Sequence, residues 1–185
     1  MRSIVLITIF LFSSLFAQTS YSGDDFTVTS NGVTTSTLNI TDSGNITDVN
    51  VTMSGSELCG NQYLDITLQS PYGTTVELTN LGTLGDIAFY QSTFDDEASI
   101  AIENGLGPYF GSYQPVGNLS DFDNEEMNGD WTLVVYHTQS CNSQITDWSI
   151  TITYDDETPD SPPSIPGVTY SGDDFTVTSN GVTTS

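Results

Sequence analysis

Beyond Arg2 the chain has no lysine or arginine, against 24 aspartates and glutamates, and its formal net charge is -23. No carboxylate past that residue can pair with a permanent side-chain cation. Each must be solvated, hydrogen-bonded to the backbone or bound to a metal. A field of one sign repels phosphate, which excludes nucleic acid and anionic lipid as partners. The same field attracts divalent cations and also keeps a surface soluble by self-repulsion; composition does not separate these two uses. Trypsin-like proteases find nothing to cut after Arg2. A single histidine, His137, is too little for a Ser-His-Asp triad in the absence of a nucleophile elbow or other catalytic segments. At the end of a strand pattern it reads as a surface residue. Cysteine is also scarce, only Cys59 and Cys141. Two thiols and one histidine lack a fourth zinc ligand, and in a secreted chain they most simply form one disulfide. Closing a loop of that length is worth roughly 4 kcal/mol in the chain-entropy account.

Long apolar runs are missing except at the start. Residues 1–17, MRSIVLITIFLFSSLFA, carry one cation, an apolar stretch too short to span a bilayer, and a small residue, Ala17, where a signal peptidase cuts. A secretory signal peptide is expected there, and with it a secreted or cell-surface protein that does not insert in the membrane once the leader is removed.

No window has convincing helical periodicity. Period two dominates instead: Val49, Val51 and Met53 in DVNVTM, Leu64, Ile66 and Leu68 in YLDITLQ, and Trp148, Ile150, Ile152 and Tyr154 in DWSITITY. Turn signals at Asn31-Gly32, Ser43-Gly44, Pro71-Tyr72-Gly73, Asn104-Gly105 and Asn128-Gly129 separate the strands. The expected fold is all-β, a jelly-roll-type sandwich of about eight antiparallel strands over residues 21–154.

After Tyr154 the alternation stops. Residues 155–169 hold four of the seven prolines and read as a stiff acidic linker. Then YSGDDFTVTSNGVTTS, which begins at Tyr21, begins again at Tyr170, 149 residues later, without one substitution. That period is too long for a solenoid unit and fits an array of whole domains. Residues 170–185 are read as the first strand and turn of a second, truncated repeat.

In order along the chain stand ITDVNVTM, YLDITLQSPYGTTVEL, STFDDEA, GSYQPVGNLSDF and NGDWTLVVYH followed by ITDWSITI. This series resembles the P domain, or P/Homo B domain, found beside subtilisin-like proprotein convertases and in secreted bacterial proteins, over about 130 residues from Asp25 to Tyr154. The resemblance implies a jelly-roll sandwich without catalytic residues, a place beside a serine-protease domain that it stabilises, and frequent calcium binding. Two positions depart from the family pattern. Gln62-Tyr63-Leu64 stands where a Gly-Asp-Leu is usual, and His137 stands where the family has an Asp. A covalent link between Cys59 and Cys141, in the neighbouring loops, is expected to replace what holds that end together in relatives.

Calcium takes six to eight hard oxygens in flexible geometry, which acidic loops supply. Asp95, Asp96 and Glu97, in the family motif, are the first candidate ligands. Asp121, Asp123 and Glu125 come next, and Asp24-Asp25 last, equally readable as a solvated strand start. Tyr72, Tyr90, Tyr109, Phe110 and Tyr113 lie near loops and suit either packing or stacking on a surface glycan. Trp131 and Trp148 are read as core. Asn39, Asn45, Asn50 and Asn118 stand in Asn-X-Ser/Thr sequons, which matter where the host glycosylates them. The expected function is a non-catalytic unit of a tandem array with structural, adhesive or neighbour-stabilising work, its partners being neighbouring repeats or domains. The alternatives are an accessory domain of a subtilisin-like protease whose catalytic domain is elsewhere, and a subunit of a strand-exchange fibre.

Overall fold

A computed structural model describes residues 16–57, 61–85, 89–140 and 143–155, and the short strands 176–177 and 183–184. Cys59 and Cys141, the leader as far as residue 15, and the linker from residue 156 onward lie outside the described residues.

Two sheets face each other. The first carries, in order, β1 (Phe16–Gly23), β10 (Ser143–Asp155), β4 (Asn45–Glu57), β7 (Phe89–Phe94) and β8 (Tyr109–Tyr113), with β2 (Phe26–Val28) also paired to β10. The second carries β3 (Gly32–Ile40), β9 (Gly129–His137), β5 (Leu64–Gln69) and β6 (Thr75–Thr79). All pairings are antiparallel except β7 with β8. The sandwich therefore has ten strands rather than about eight. The excess arises at the start, where β1, β2 and β3 precede β4 and the chain crosses between sheets twice, after β2 and after β3.

Alternation builds the core. Val49, Val51 and Met53 of β4 and Trp148, Ile150 and Ile152 of β10 point inward from one sheet, and Leu64, Ile66, Leu68, Trp131, Leu133 and Val135 from the other. Both tryptophans are buried, as the apolar neighbours of each predict. His137 is not a surface residue. It is fully buried, because Trp131, Leu133, Val135 and His137 are successive inward positions of β9 and the period of two carries the histidine inside.

The sixteen-residue stretch that recurs is not one strand and a turn. Its first copy comprises the end of β1, all of β2 and the start of β3. In the second copy Thr176–Val177 and Thr183–Thr184 pair with each other, antiparallel. Strand β1 starts at Phe16, opposite Asp155. A cut after Ala17 removes two residues of the strand and leaves the pairs from Gln18 with Thr153 to Gly23 with Trp148.

The first sheet has two distinguishable ends. Because β1 runs antiparallel to β10 in this register, Phe16 and Asp155 are neighbours, and the chain enters and leaves the sheet at the same end. The start of β10, at Ser143, marks the other end.

Candidate functional site

Near the end where the chain enters and leaves, β4 changes neighbours. Over Val51–Met53 it pairs with β7. At its beginning it is held instead by the segment after Phe122: Asn124 donates its N–H to the carbonyl of Ile46 at 2.8 Å, Ile46 donates to that of Glu125 at 2.9 Å, and Asn45 bridges Glu126. Asp48 and Asn50 lie between these two partners. They are outward residues of the strand, alternating with buried Val49 and Val51.

The loop that leaves β7 bears Asp95, Asp96 and Glu97. Asp96 is a strut: its two carboxylate oxygens accept the backbone N–H groups of Leu119 (3.0 Å) and Ser120 (2.8 Å), at the start of a 3-10 helix, Leu119–Phe122. A carboxylate that accepts two backbone donors at a helical start satisfies orphan N–H groups and faces their positive dipole. Asp95 accepts the N–H of Glu97 at 2.7 Å, which closes the loop on itself. The first two acidic clusters seen in the sequence are thus fastened together, and Asp123, immediately after the 3-10 helix, joins them.

The electrostatics identify which acids share a field. Burial, then Asp95 and Asp96, raises the carboxyl of Asp48 above its ordinary range. Burial, then Asp48 and Asp96, raises that of Asp123. Glu97 is raised by its hydrogen bond with Asp95, by burial, and by the charges of Asp48 and Asp95. Burial is the largest cause for Asp48 and Asp123 and the hydrogen bond with Asp95 for Glu97, and repulsion between like charges adds to all three. The acids that act on one another, and so form the candidate group, are Asp48, Asp95, Asp96, Glu97 and Asp123. Asp48 is absent from every acidic run in the sequence.

Two candidates face elsewhere. Glu125 accepts the hydroxyl of Thr74, in the β5–β6 turn. Asp121 is exposed, and neither it nor Glu125 raises the carboxyls of this group. Asp24 and Asp25 are exposed between β1 and β2.

The donor set suits a hard cation. Asn50 donates its amide to Asp48 at 3.0 Å, while Asn50 Oδ1 and Asp123 Oδ1 are buried oxygens that accept no hydrogen bond. Buried acceptors without donors are costly, and a cation relieves them. Among the described residues no group of three or more Asp, Glu, His or Cys side chains is placed to hold a metal ion together. Asp96 has both carboxylate oxygens committed to backbone N–H groups, whereas the side chains of Asp48, Glu97 and Asp123 carry no such pair.

A pH dependence follows. A carboxyl raised in the folded state favours folding when protonated, so its contribution appears as pH falls through the raised folded value and is complete below the ordinary one. In chelator, the melting temperature is expected to rise as the pH is lowered from neutrality toward the ordinary carboxylate range, about 4. A melting temperature that falls steadily over this interval contradicts the mutual repulsion.

A groove lies elsewhere, at the opposite end of the same sheet. It holds about 720 Å³ and is lined by Ser54, Gly55, Phe89, Tyr90, Gln91, Pro108, Phe110, Thr146 and Asp147. Of the aromatic candidates, Tyr109 and Tyr113 are core residues and Tyr72 is exposed in the turn after β5, whereas Tyr90 and Phe110 meet in this groove.

The profile of the family described as Proprotein convertase P-domain matches residues 46–152. Among solved structures, the serine protease of Aeromonas sobria in complex with the chaperone ORF2 is similar at 16% identity and a TM-score of 0.46, over 76% of this chain and 27% of that one. The serine protease of Aeromonas sobria alone is similar at 16% identity and a TM-score of 0.45, over 75% of this chain and 27% of that one. FLHE is similar at 12% identity and a TM-score of 0.41, over 74% of this chain and 96% of that one. The chain spans about a quarter of the length of the Aeromonas proteases. No curated protein matches the sequence significantly.

Proposed function

The chain belongs to the proprotein convertase P-domain family, and from that premise we propose a non-catalytic, structural role for it outside the cytoplasm. It is one unit of a tandem array, and calcium at Asp48, Glu97 and Asp123 stiffens the end from which the linkers run. The supporting observation is the meeting of three chain segments, β4, the loop after β7 and the turn after Phe122, at carboxylates that raise one another, two of them half-buried and Glu97 exposed. Past Arg2 no lysine or arginine is present to neutralise them, and at neutral pH a bound metal would do so. The position fits the role. Asp48 is opposite Thr153 in β10, two residues before the strand ends at Asp155. An ion there would brace the root of the linker and pass stiffness from one repeat to the next.

Melting in chelator and in millimolar calcium tests this. A ligand that binds only the folded state adds about 2.7 kcal/mol at a hundredfold excess over its Kd. The melting temperature of the wild type is expected to rise, and the rise is expected to vanish in Asp48→Asn and Asp123→Asn. Those variants should melt higher than the wild type in chelator, since each removes a repelling charge. A wild type that melts alike in both buffers refutes the calcium site.

A second reading is favoured by the family itself, in which the module accompanies subtilisin-like proteases. The chain would then stabilise a catalytic domain encoded elsewhere in the full protein. The complete reading frame decides: further P-like repeats support the array, and a serine-protease domain supports the accessory role.

A further inference from the structure

The groove at the far end of the first sheet is opened by two irregularities. In β10 the register with β4 slips at Thr146, between Ile145 opposite Gly55 and Asp147 opposite Ser54. In β7 it slips against β8 between Phe89 and Ser92, where Gln91 takes a left-handed φ of 48° and donates its N–H to Ser54 Oγ at 3.0 Å. Left-handed backbone is uncommon for a residue other than glycine, and bulges of this kind re-aim side chains. Here the consequence is visible. Phe89 and Tyr109 turn into the core, while Tyr90 and Phe110 turn out, 64% and 63% exposed, with ring centroids 6.1 Å apart and planes inclined by 31°. Two large apolar rings held in water with no packing duty form a shelf, and exposed Gln91 and Asp147, with Ser54 and Thr146, supply polar groups around it.

We infer that this shelf is a binding site for a neutral saccharide, a function separate from the calcium-braced linker end. The apolar C–H face of a hexose stacks on the rings, and its hydroxyls donate to the Asp147 carboxylate and exchange hydrogen bonds with the Gln91 amide. A cleft of this size, mostly apolar with a few polar groups, is of the kind that holds small ligands. Charge narrows the class: with a net charge of -23 and no lysine or arginine past Arg2, a sulfated or uronic-acid polymer is repelled. Position points outward. Asp147 lies eight residues along β10 from Asp155, about 26 Å, so the groove faces away from the end where the linkers attach. The chain's own proline-rich segment, residues 155–167, is the competing occupant for an aromatic groove. It carries Asp155, Asp156, Glu157 and Asp160 toward Asp147 and has to double back along the whole sheet to arrive.

Isothermal titration of the mature chain with cellohexaose, maltohexaose, mannohexaose and N-acetylchitohexaose tests the site, with the peptide of residues 155–167 as comparison. At least one hexaose is expected to bind, and Tyr90→Ala and Phe110→Ala each to weaken it by about tenfold. Both rings are exposed, so both variants should retain the wild-type melting temperature and calcium response. Binding by none of the four hexaoses, binding indifferent to both substitutions, or binding by the peptide alone overturns the proposal. None of these results bears on the calcium site, which the chelator melts read separately.

Discussion

Phe122→Ala is expected to destabilise the fold by about 3–5 kcal/mol, measured by urea unfolding, and to abolish the calcium-dependent rise in melting temperature as well. Phe122 is fully buried, and its ring meets the edge of Trp131 at 5.1 Å and 74°. An aromatic pair in this geometry contributes about 0.5–1.5 kcal/mol beyond the area it buries, so the cavity left by alanine loses both terms. Trp131 cannot readily swing into the space, since its indole N–H donates to the carbonyl of Met127 at 3.0 Å. The functional consequence comes from the chain that Phe122 anchors. The 3-10 helix Leu119–Phe122 is pinned to the core by Leu119 and Phe122 and to the loop after β7 by Asp96, and Asp123 follows it directly. Freeing the core end lets Asp123 drift from Asp48. Phe122→Leu should recover most of the stability and the calcium response. A Phe122→Ala protein that still gains full stability from calcium would show that the 3-10 helix does not position the site.

The comparison of sequence with structure divides along the range of the signal. Strand identity is local, and alternation at Val49, Val51 and Met53 or at Leu64, Ile66 and Leu68 is enough to orient every side chain. The same rule, carried two residues beyond Val135, would have placed His137 inside; a strand end suggested the surface only because the alternation was not followed to its last member. The acidic site is different in kind. Runs of carboxylates direct attention to Asp95–Glu97 and to Asp121–Glu125, yet a run in a loop scatters its side chains, and Asp121, Asp123 and Glu125 have three different surroundings. Asp48 became a member through pairing of β4 with β10 and β7, a relation between residues about 50 and 100 positions apart in the chain. Its one local trace is the spacing of Asp48 and Asn50, two residues apart and hence on the same outward face. Exposure of Tyr90 was hidden for a similar reason, whereas Phe110 faces outward by the plain alternation of β8. A bulge resets which residues of β7 face inward, and the sequence around Gln91 has no glycine to announce it.

The other large effect lies in the strand pair that the repeated stretch begins with. Trp148→Ala should cost about 3–5 kcal/mol. The indole is fully buried at the centre of β10, between Gly23 of β1 and Met53 of β4, and its N–H donates to Ser36 Oγ at 3.2 Å. Gly23 is required by the same ring. A Cβ built there would stand 2.1 Å from Trp148 Cε2 and 2.2 Å from Nε1, closer than any real contact. The clash is with a rigid ring packed on both sides, so Gly23→Ala should cost about 1–3 kcal/mol or more by forcing β1 away from β10. The two positions must then be coupled. In the Trp148→Ala background the space is empty, so adding Gly23→Ala should cost almost nothing or restore a little packing. The double variant should be more stable than the sum of the single losses by about 1–3 kcal/mol, the range for residues in contact. Additive losses would mean that Gly23 serves the backbone of β1 and not the seat of the indole.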